Sequence, residues 1–434
     1  MKTSFKKIII FILKVESQLV LWKYKPKIVA ITGSVGKTST KDAVYAIFSK
    51  ISYVRKSEKS FNSEIGLPLT VLGCPNGWNN PLVWFLNVLR GLWLFIWPHK
   101  YPEWLILEVG IGKPNDMKKT ASWLKTDAVI ITTIGQTPPH IEFFNSHKHL
   151  VEEKSQLLKT LKQDGLLVLN ADDEVALEMK AKSKHRSITY GFNEGSDVLG
   201  SGDTIFYNDK EEPEGIIFRV DEGGSSLPVI IEGVFGRNHV YASLAALALF
   251  SGLKFNMLTA INSLKNYDVP PGRMRLLKGI KNCSIIDDTY NSSPFACESA
   301  LKTLNEVRSK GKDGRKIAIL GDMLELGRHT AEAHKNIGKI IIGNADILIV
   351  VGPRAKLIKE GALESGMNKE NIFEFLNSHE TANFVKTFLQ KNDIVLIKGS
   401  QGMRMERVVE TILLDQENKN KLLVRQDDEW LKKK

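Results

Sequence analysis

Cysteine is scarce: the 434 residues hold only Cys74, Cys283 and Cys297, an odd count without C-x-x-C spacing. That removes a disulfide framework and a cysteine-rich zinc site, and it points to a reducing compartment. A run long enough to cross a bilayer is also lacking. The most apolar stretch, Leu82 to Trp97, would reach only about 24 Å as a helix against roughly 30 Å of hydrocarbon. No short-period repeat occurs, which excludes a solenoid. With 43% hydrophobic and 25% charged residues, disorder over most of the length is excluded as well. Acidic residues are in deficit, 49 against 60 Lys plus Arg, leaving a net charge of +11. Such an excess favours anionic partners, nucleotides or an acidic membrane face, without choosing between them. The positive charge is spread out and no aromatic-basic module is visible, so nucleic acid is not an expected partner. The length predicts two or three domains.

Lys2, Lys6 and Lys7 before Ile8 to Leu13 imitate the start of a signal peptide. The imitation fails: the apolar run is too short, Lys14 and Glu16 interrupt it, and no small-residue cleavage site follows. Residues 1–26 instead read as an amphipathic segment, with Lys7, Lys14, Ser17 and Gln18 on one face and Ile, Leu, Val and Trp22 opposite. Five of the eight tryptophans, Trp78, Trp84, Trp93, Trp97 and Trp104, fall in or beside a second unusual segment at about 76–104. Asn87, Arg90 and Gly91 form only a narrow polar stripe there. Two readings stay open: a helix buried or covered by a partner, or a helix lying in a membrane interface with Trp and Arg90 at headgroup level.

Along the chain, short β-branched runs alternate with helical patterns. Lys27 to Ile31, Trp104 to Val109, Ala128 to Thr133 and Leu166 to Asn170 read as strands of a mostly parallel α/β sheet. Residues 185–235 change to short alternating stretches and read as an antiparallel appendage. Val269-Pro270-Pro271-Gly272 forms a rigid turn, and alternation then restarts with strands at 284–288, 316–320, 347–351 and 394–398. The expected architecture is α/β throughout. A P-loop central domain spans 27–269 and a Rossmann-like C-terminal α/β domain spans 270–434.

The strongest chemical signal is Thr32-Gly33-Ser34-Val35-Gly36-Lys37-Thr38-Ser39, directly after a strand and before a helical pattern. A phosphate chain needs close backbone N–H groups, a cation for the outer phosphates and a hydroxyl for Mg²⁺. Gly33 and Gly36 permit the approach, with Ser34 and Ser39 alongside; Lys37 supplies the charge and Thr38 the hydroxyl. Glu108, closing a strand, is a candidate Mg²⁺ ligand, because open α/β sheets bind ligands at their carboxyl ends. His140, Lys154, Arg273 and Asp287-Asp288-Thr289-Tyr290-Asn291 lie at comparable strand ends, helices or the hinge. Singly, His140 and Lys154 read first as satisfied polar residues or a solvated helix face, and Arg273 with the Asp287 and Asp288 carboxylates reads as readily as a buried ion pair. Lys398-Gly399-Ser400 closes a strand and reads as an anion contact or a turn.

Taken in order, these pieces resemble the Mur ligases, and among them the branch that adds D-alanyl-D-alanine. The phosphate loop is joined by Asn62-Ser63-Glu64-Ile65-Gly66-Leu67-Pro68, Leu107-Glu108-Val109-Gly110, His140-Ile141-Glu142 and Glu153-Lys154-Ser155. Asn170-Ala171-Asp172-Asp173, Gly272-Arg273, the Asp287 to Asn291 stretch, Leu320 to Gly327 and Lys398-Gly399-Ser400 complete the series. The resemblance implies an ATP-dependent, ADP-forming amide ligase of peptidoglycan precursor synthesis, acting in the cytoplasm as a monomer on a muramyl-peptide acceptor and D-alanyl-D-alanine. It implies that Lys37 steadies the β/γ-phosphates, that Thr38 and Glu108 hold one Mg²⁺, and that His140 holds a second. Lys154 matches a lysine whose carbamoylation makes it an anionic metal ligand. Asp288 and Asn291 would bind nucleotide, and Arg273 would join on domain closure.

Three departures from the pattern follow. Only 26 residues precede the first core strand, where the family carries a separate domain for the UDP-sugar end of its substrate, and a domain needs at least about 50. That domain is expected to be missing. Gly236-Arg237-Asn238-His239 places His after Asn, the reverse of the expected order, and Gln156 stands where Glu is common after the lysine. A lipid-linked or other carboxylate acceptor, with peripheral contact at the inner membrane face, is therefore the alternative within the enzyme class. A nucleotide-binding scaffold without turnover is the alternative outside it.

Overall fold

The computed structural model of the protein describes residues 3–58, 61–135, 144, 146–309 and 314–432. The first sheet is built from β1 (Lys27–Thr32), β2 (Val54–Lys56), β3 (Trp104–Glu108), β4 (Thr126–Ile131), β5 (Leu161–Asn170) and β6 (Arg186–Gly191), continued by β7 (Val198–Tyr207), β8 (Pro213–Glu222) and β9 (Ser225–Glu232). Its order is β2-β3-β1-β4-β5-β6-β7-β8-β9. The pairs from β2 through β6 are all parallel, with Ile31 opposite Glu108 on one side and Ile130 on the other. Fully buried β-branched and leucine runs such as Ile28–Ile31 and Leu166–Leu169 suit strands covered on both faces. The antiparallel reading of 185–235 needs correcting at its start: β6 and the first contact of β7 are still parallel. The meander begins only with β7.

A second sheet is built from β10 (Arg275–Lys278), β11 (Ser284–Asp288), β12 (Lys316–Gly321), β13 (Ile347–Val351), β14 (Ile372–Phe375) and β15 (Ile394–Lys398), in the order β10-β11-β15-β12-β13-β14. All its pairs are parallel except β10 with β11. The chain divides into two compact units. One comprises 1–202, 218–229 and 238–268, and the other 203–217, 230–237 and 269–434.

In the first unit, helices α1 (Thr3–Tyr24), α2 (Lys37–Phe48), α3 (Gly66–Leu72), α4 (Pro81–Ile96), α5 (Asp116–Ala121) and α6 (His147–Ser155) cover the sheet. Asn80 caps α4 by accepting from the Leu82 and Val83 amides, with Pro81 pre-set at the first helical position. Helix α1 packs along α3 and α4. On α1, Ile9, Leu13 and Val20 turn into the core while Lys7 and Gln18 stay exposed, as an amphipathic helix would have it, but the division is not clean. Ser17 and Glu16 of α1 and Asn87 and Gly91 of α4 are buried, whereas Ile8, Phe11, Val15, Leu19 and Trp22 of α1 are exposed. Phe85, Leu89, Trp93 and Ile96 are exposed on α4, and Trp84 is its one buried aromatic. Of the narrow polar stripe, Asn87 and Gly91 thus point inward and Arg90 stays exposed. Gly91 leaves room for the Glu16 carboxyl, which would have to move aside for a side chain at that position. Burial pushes that carboxyl up to about 7, and its Oε2 has no hydrogen-bond partner. At the far end Lys23 Nζ donates to the carbonyls of Leu94, Phe95 and Trp97 at 2.7–3.2 Å, satisfying the last turn of α4. No helix of the described residues is long and apolar enough to cross a membrane.

Candidate active site

The winding of the first sheet decides where a ligand can sit. From β1 the chain moves to β2 and β3 on one side, then crosses to β4, β5 and β6 on the other. The crevice at the carboxyl end of β1, between β3 and β4, is the switch point at which such sheets bind ligands. Gly33 to Gly36 fills it. The Ser34 and Val35 amides donate to the Thr133 carbonyl at 2.7 and 3.1 Å, which pins the loop to the end of β4. Gly33 lies so close to Thr132 that a Cβ would overlap its hydroxyl. Gly36 adopts φ +84° as it opens α2, a conformation that strains other residues, and a Cβ there would meet only open space. No side chain caps this helix start, so its first-turn amides present a positive end to an anion.

Around the loop stand the residues expected from sequence. Lys37 Nζ folds back over the loop and donates to the Gly33 and Ser34 carbonyls at 2.9 and 3.2 Å. Thr38 Oγ1 donates to Glu108 Oε2 at 3.0 Å, bringing the two proposed metal ligands together. Lys154, near the end of α6, is buried and donates to the Gly33 carbonyl at 2.8 Å. Burial, and secondarily the charge of Lys37, hold its ammonium pKa well below the usual lysine value. Its helix is fixed at both ends: Ser146 Oγ accepts from the His149 amide, and the neighbouring Glu153 accepts from the Met117 amide. The loop leading toward His140 is anchored by Asp173, which accepts from the Ile134 and Gly135 amides at 2.7 and 2.8 Å. His140 itself, with Ile141 and Glu142, lies outside the described residues.

Glu108 has more support than the sequence reading assigned. Asn62 Nδ2 donates to its Oε1 at 3.0 Å, Ser57 Oγ accepts from its amide, and buried Lys41 lies 3.8 Å from its Oε2. Lys41 is also 3.8 Å from Asp42, which pairs with Lys56 at 2.7 Å. Spacing carried one hint of this: Lys41 follows Thr38 by three positions, the same face of α2.

The expected groups suit the chemistry of this pocket. Ser34 Oγ is buried without a hydrogen-bond partner, as a hydroxyl reserved for a ligand would be. Among the described residues no group of three His, Cys, Asp or Glu side chains stands together. A Mg²⁺ ion bound through one carboxylate, one hydroxyl and phosphate oxygens needs no such cage.

In the second unit Asp288 ends β11 and pairs with Lys398 at 2.6 Å; Lys398 also donates to the Asn291 carbonyl. Asp288 and Asn291 are thus brought together by the lysine that closes β15. The Arg273 guanidinium lies 3.9 Å above the Tyr290 ring. Sequence reading missed Arg425, which braces this turn by donating to the Thr289 and Tyr290 carbonyls and to Glu406. Asp287, fully buried, is pushed up to about 6 by burial, although Thr289 donates to it. Of the Gly236-Arg237-Asn238-His239 stretch, His239 is buried against the Tyr267 hydroxyl at 2.9 Å, and Arg237 makes a two-pronged pair with Asp203. Gln156 donates only weakly to the Glu152 carbonyl at 3.4 Å.

Known proteins agree with this layout. Residues 31–250 match the Mur ligase middle domain, and residues 272–401 match the Mur ligase, glutamate ligase domain. The chain is 27% identical over 390 residues to the UDP-N-acetylmuramoyl-tripeptide–D-alanyl-D-alanine ligase of Bacillus subtilis, covering 89% of this chain and 76% of the relative. It is 28% identical to the Synechocystis enzyme of the same name, covering 89% and 75%. Among solved structures, the MurF ligase from Thermotoga maritima in complex with ADP superposes with a TM-score of 0.74 at 24% identity, covering 93% of this chain and 83% of that one. With more than half of its residues inside the middle-domain match alone, the chain belongs to the Mur ligase family.

Proposed function

We propose that the protein is an ATP-dependent, ADP-forming ligase that joins D-alanyl-D-alanine to the terminal carboxylate of a muramyl tripeptide. The observation that carries this reading is the convergence of Lys37, Thr38, Glu108 and Lys154 on one phosphate loop at the sheet's switch point. The names of the similar enzymes supply the substrate pair.

A carboxylate resists amines because its charge repels them and its leaving group would be oxide. ATP repairs both faults: a carboxylate oxygen bonds to the γ-phosphorus, the bond to the bridging oxygen breaks, and ADP leaves with the electron pair. The amine nitrogen then bonds to the acyl carbon, phosphate departs with its bonding electrons, and one proton is released. Lys37 and the first-turn amides of α2 steady the phosphates. Thr38 and Glu108 are the residues that would hold Mg²⁺, which supplies neutralisation of the phosphate charge. Asn62 and Lys41 keep Glu108 aimed at that position. A neutral Lys154 amine is the form that adds CO₂, and the resulting carbamate would serve with His140 at a second cation. Asp288, Asn291 and Arg273 are assigned to the nucleotide.

A second reading is favoured by the exposed apolar faces of α1 and α4: an acceptor carried on lipid, with the enzyme peripheral at the cytoplasmic membrane face. Phosphate release in the presence of ATP and Mg²⁺, measured with soluble and lipid-linked acceptors and with mass detection of the product, tests both. Release that depends on neither acceptor nor D-alanyl-D-alanine would end the ligase assignment.

A further inference from the structure

Helices α1 and α4 carry apolar side chains on both sides. Their buried seam mixes Ile9, Leu13, Val20 and Trp84 with Glu16, Ser17, Asn87 and Gly91, and their outward faces hold further large apolar side chains, among them Phe11 at 67% and Trp22 at 71% exposed. On α1 the exposed positions recur at Ile8, Phe11, Val15, Leu19 and Trp22, a continuous stripe down a 22-residue helix about 33 Å long. Helix α4 adds a second such stripe ending in Trp93 and Trp97. An ordinary soluble surface does not carry so continuous an apolar patch on two adjacent helices without a partner.

Charge identifies the partner. Residues 1–26 and 75–102 contain one acidic residue, Glu16, and it is buried. Exposed Lys7, Lys25, Arg90 and Lys100 flank the patch in the same two segments. A second copy would bring the same uncompensated positive charge against itself, whereas anionic lipid headgroups neutralise it. Trp22, Trp93 and Trp97 have the amphipathic rings that settle at headgroup level, and Trp93 turns its indole N–H to His99 at 2.8 Å. Since neither helix is long and apolar enough to span, contact has to be made lying flat.

We propose that α1 and α4 together form a membrane-docking platform that lies in the headgroup–acyl boundary of an anionic bilayer, apolar stripes inward and basic residues at the phosphates. This deepens the lipid-side reading of the acceptor given above, and its test is independent of the chemistry.

The full chain is sedimented with phosphatidylcholine vesicles, with and without phosphatidylglycerol, and its tryptophan emission recorded. Binding to the anionic vesicles, a blue shift, and weakening by salt are expected. The triple variant Phe11→Glu, Leu89→Glu, Trp93→Glu changes only exposed positions. It should keep the thermal midpoint, keep phosphate release from soluble substrates, and bind at least about tenfold more weakly. Wild-type protein left in the supernatant with anionic vesicles overturns the platform, as does a triple variant that binds equally well. A concentration-dependent dimer abolished by the triple variant, without vesicle binding, overturns it in favour of a second copy. Vesicle binding by a protein that releases no phosphate with any acceptor leaves the platform standing and removes the ligase reading.

Discussion

Lys154 Nζ donates to the Gly33 carbonyl oxygen across 2.8 Å, tying the end of α6 to the first turn of the phosphate loop. Buried beside Lys37, the amine is driven toward its neutral form, the form that reacts with CO₂. Lys154→Arg keeps a donor but cannot form the same carbamate, so phosphate release should fall at least about 100-fold while ADP binding is retained. Wild-type enzyme depleted of CO₂ should lose turnover and regain it with bicarbonate, and the arginine variant should not respond. Full activity in the variant would exclude the carbamate.

Gly33→Ala places a methyl group against the Thr132 hydroxyl, so the loop must shift. Stability should drop by about 1–3 kcal/mol and turnover should be lost. Lys37→Ala removes the phosphate cation without touching the core, so it should abolish turnover and leave the thermal midpoint nearly unchanged. Urea unfolding beside phosphate-release assays separates the two, and full turnover by Lys37→Ala would dismiss the loop as the phosphate site.

Lys41 offsets two buried carboxylates, Glu108 and Asp42, each 3.8 Å away. Lys41→Met leaves them with less compensation and should cost about 3–5 kcal/mol, the usual loss when one partner of a buried ion pair is removed. Added Mg²⁺ with ADP should recover part of that loss, because it supplies a cation to Glu108. Equal thermal shifts with and without Mg²⁺–ADP would show that Lys41 does not act through Glu108.

Glu16 is raised to about 7 by burial, well above its value in an unfolded chain. The folded state therefore holds this proton where the unfolded state has released it, and the Glu16 contribution to stability is greatest below the unfolded carboxylate pKa. It is lost as pH rises toward 7. Glu16→Gln should flatten this part of the stability curve between about pH 5 and 7.5 and raise stability at the upper end. Chemical denaturation across that range measures it; an unaltered slope would mean that the Glu16 carboxyl is already ionised in the fold.

Much of the fold was readable because its strands are short, β-branched and covered on both faces. Ser284 to Asp288, Ile347 to Val351 and Ile394 to Lys398 occupy the expected residues. Edge strands were not readable: β2 has three residues and β14 four, too few for a pattern to emerge. The phosphate loop declared itself through local spacing, whereas the supports of Glu108 did not. Asn62 and Lys41 reach it from elements separated by 46 and 67 positions, and only the sheet order brings these together. The helix pair was legible in part: Ile9, Leu13 and Val20 turn inward, and Glu16 and Ser17 turn inward with them. Periodicity reveals that a helix has two faces, but the inward one is chosen by what it meets, here Glu16 against Gly91.

The grip of Lys23 on the carbonyls of Leu94, Phe95 and Trp97 makes the leading helix a fastened part of the core. Leu13 and Val20 are wholly enclosed in the same cluster as Leu67 and Leu69 of α3. Recombinant versions trimmed to start at Lys27 would strip away that cover and clump, so any crystallisation or screening effort should put its affinity tag at the other terminus.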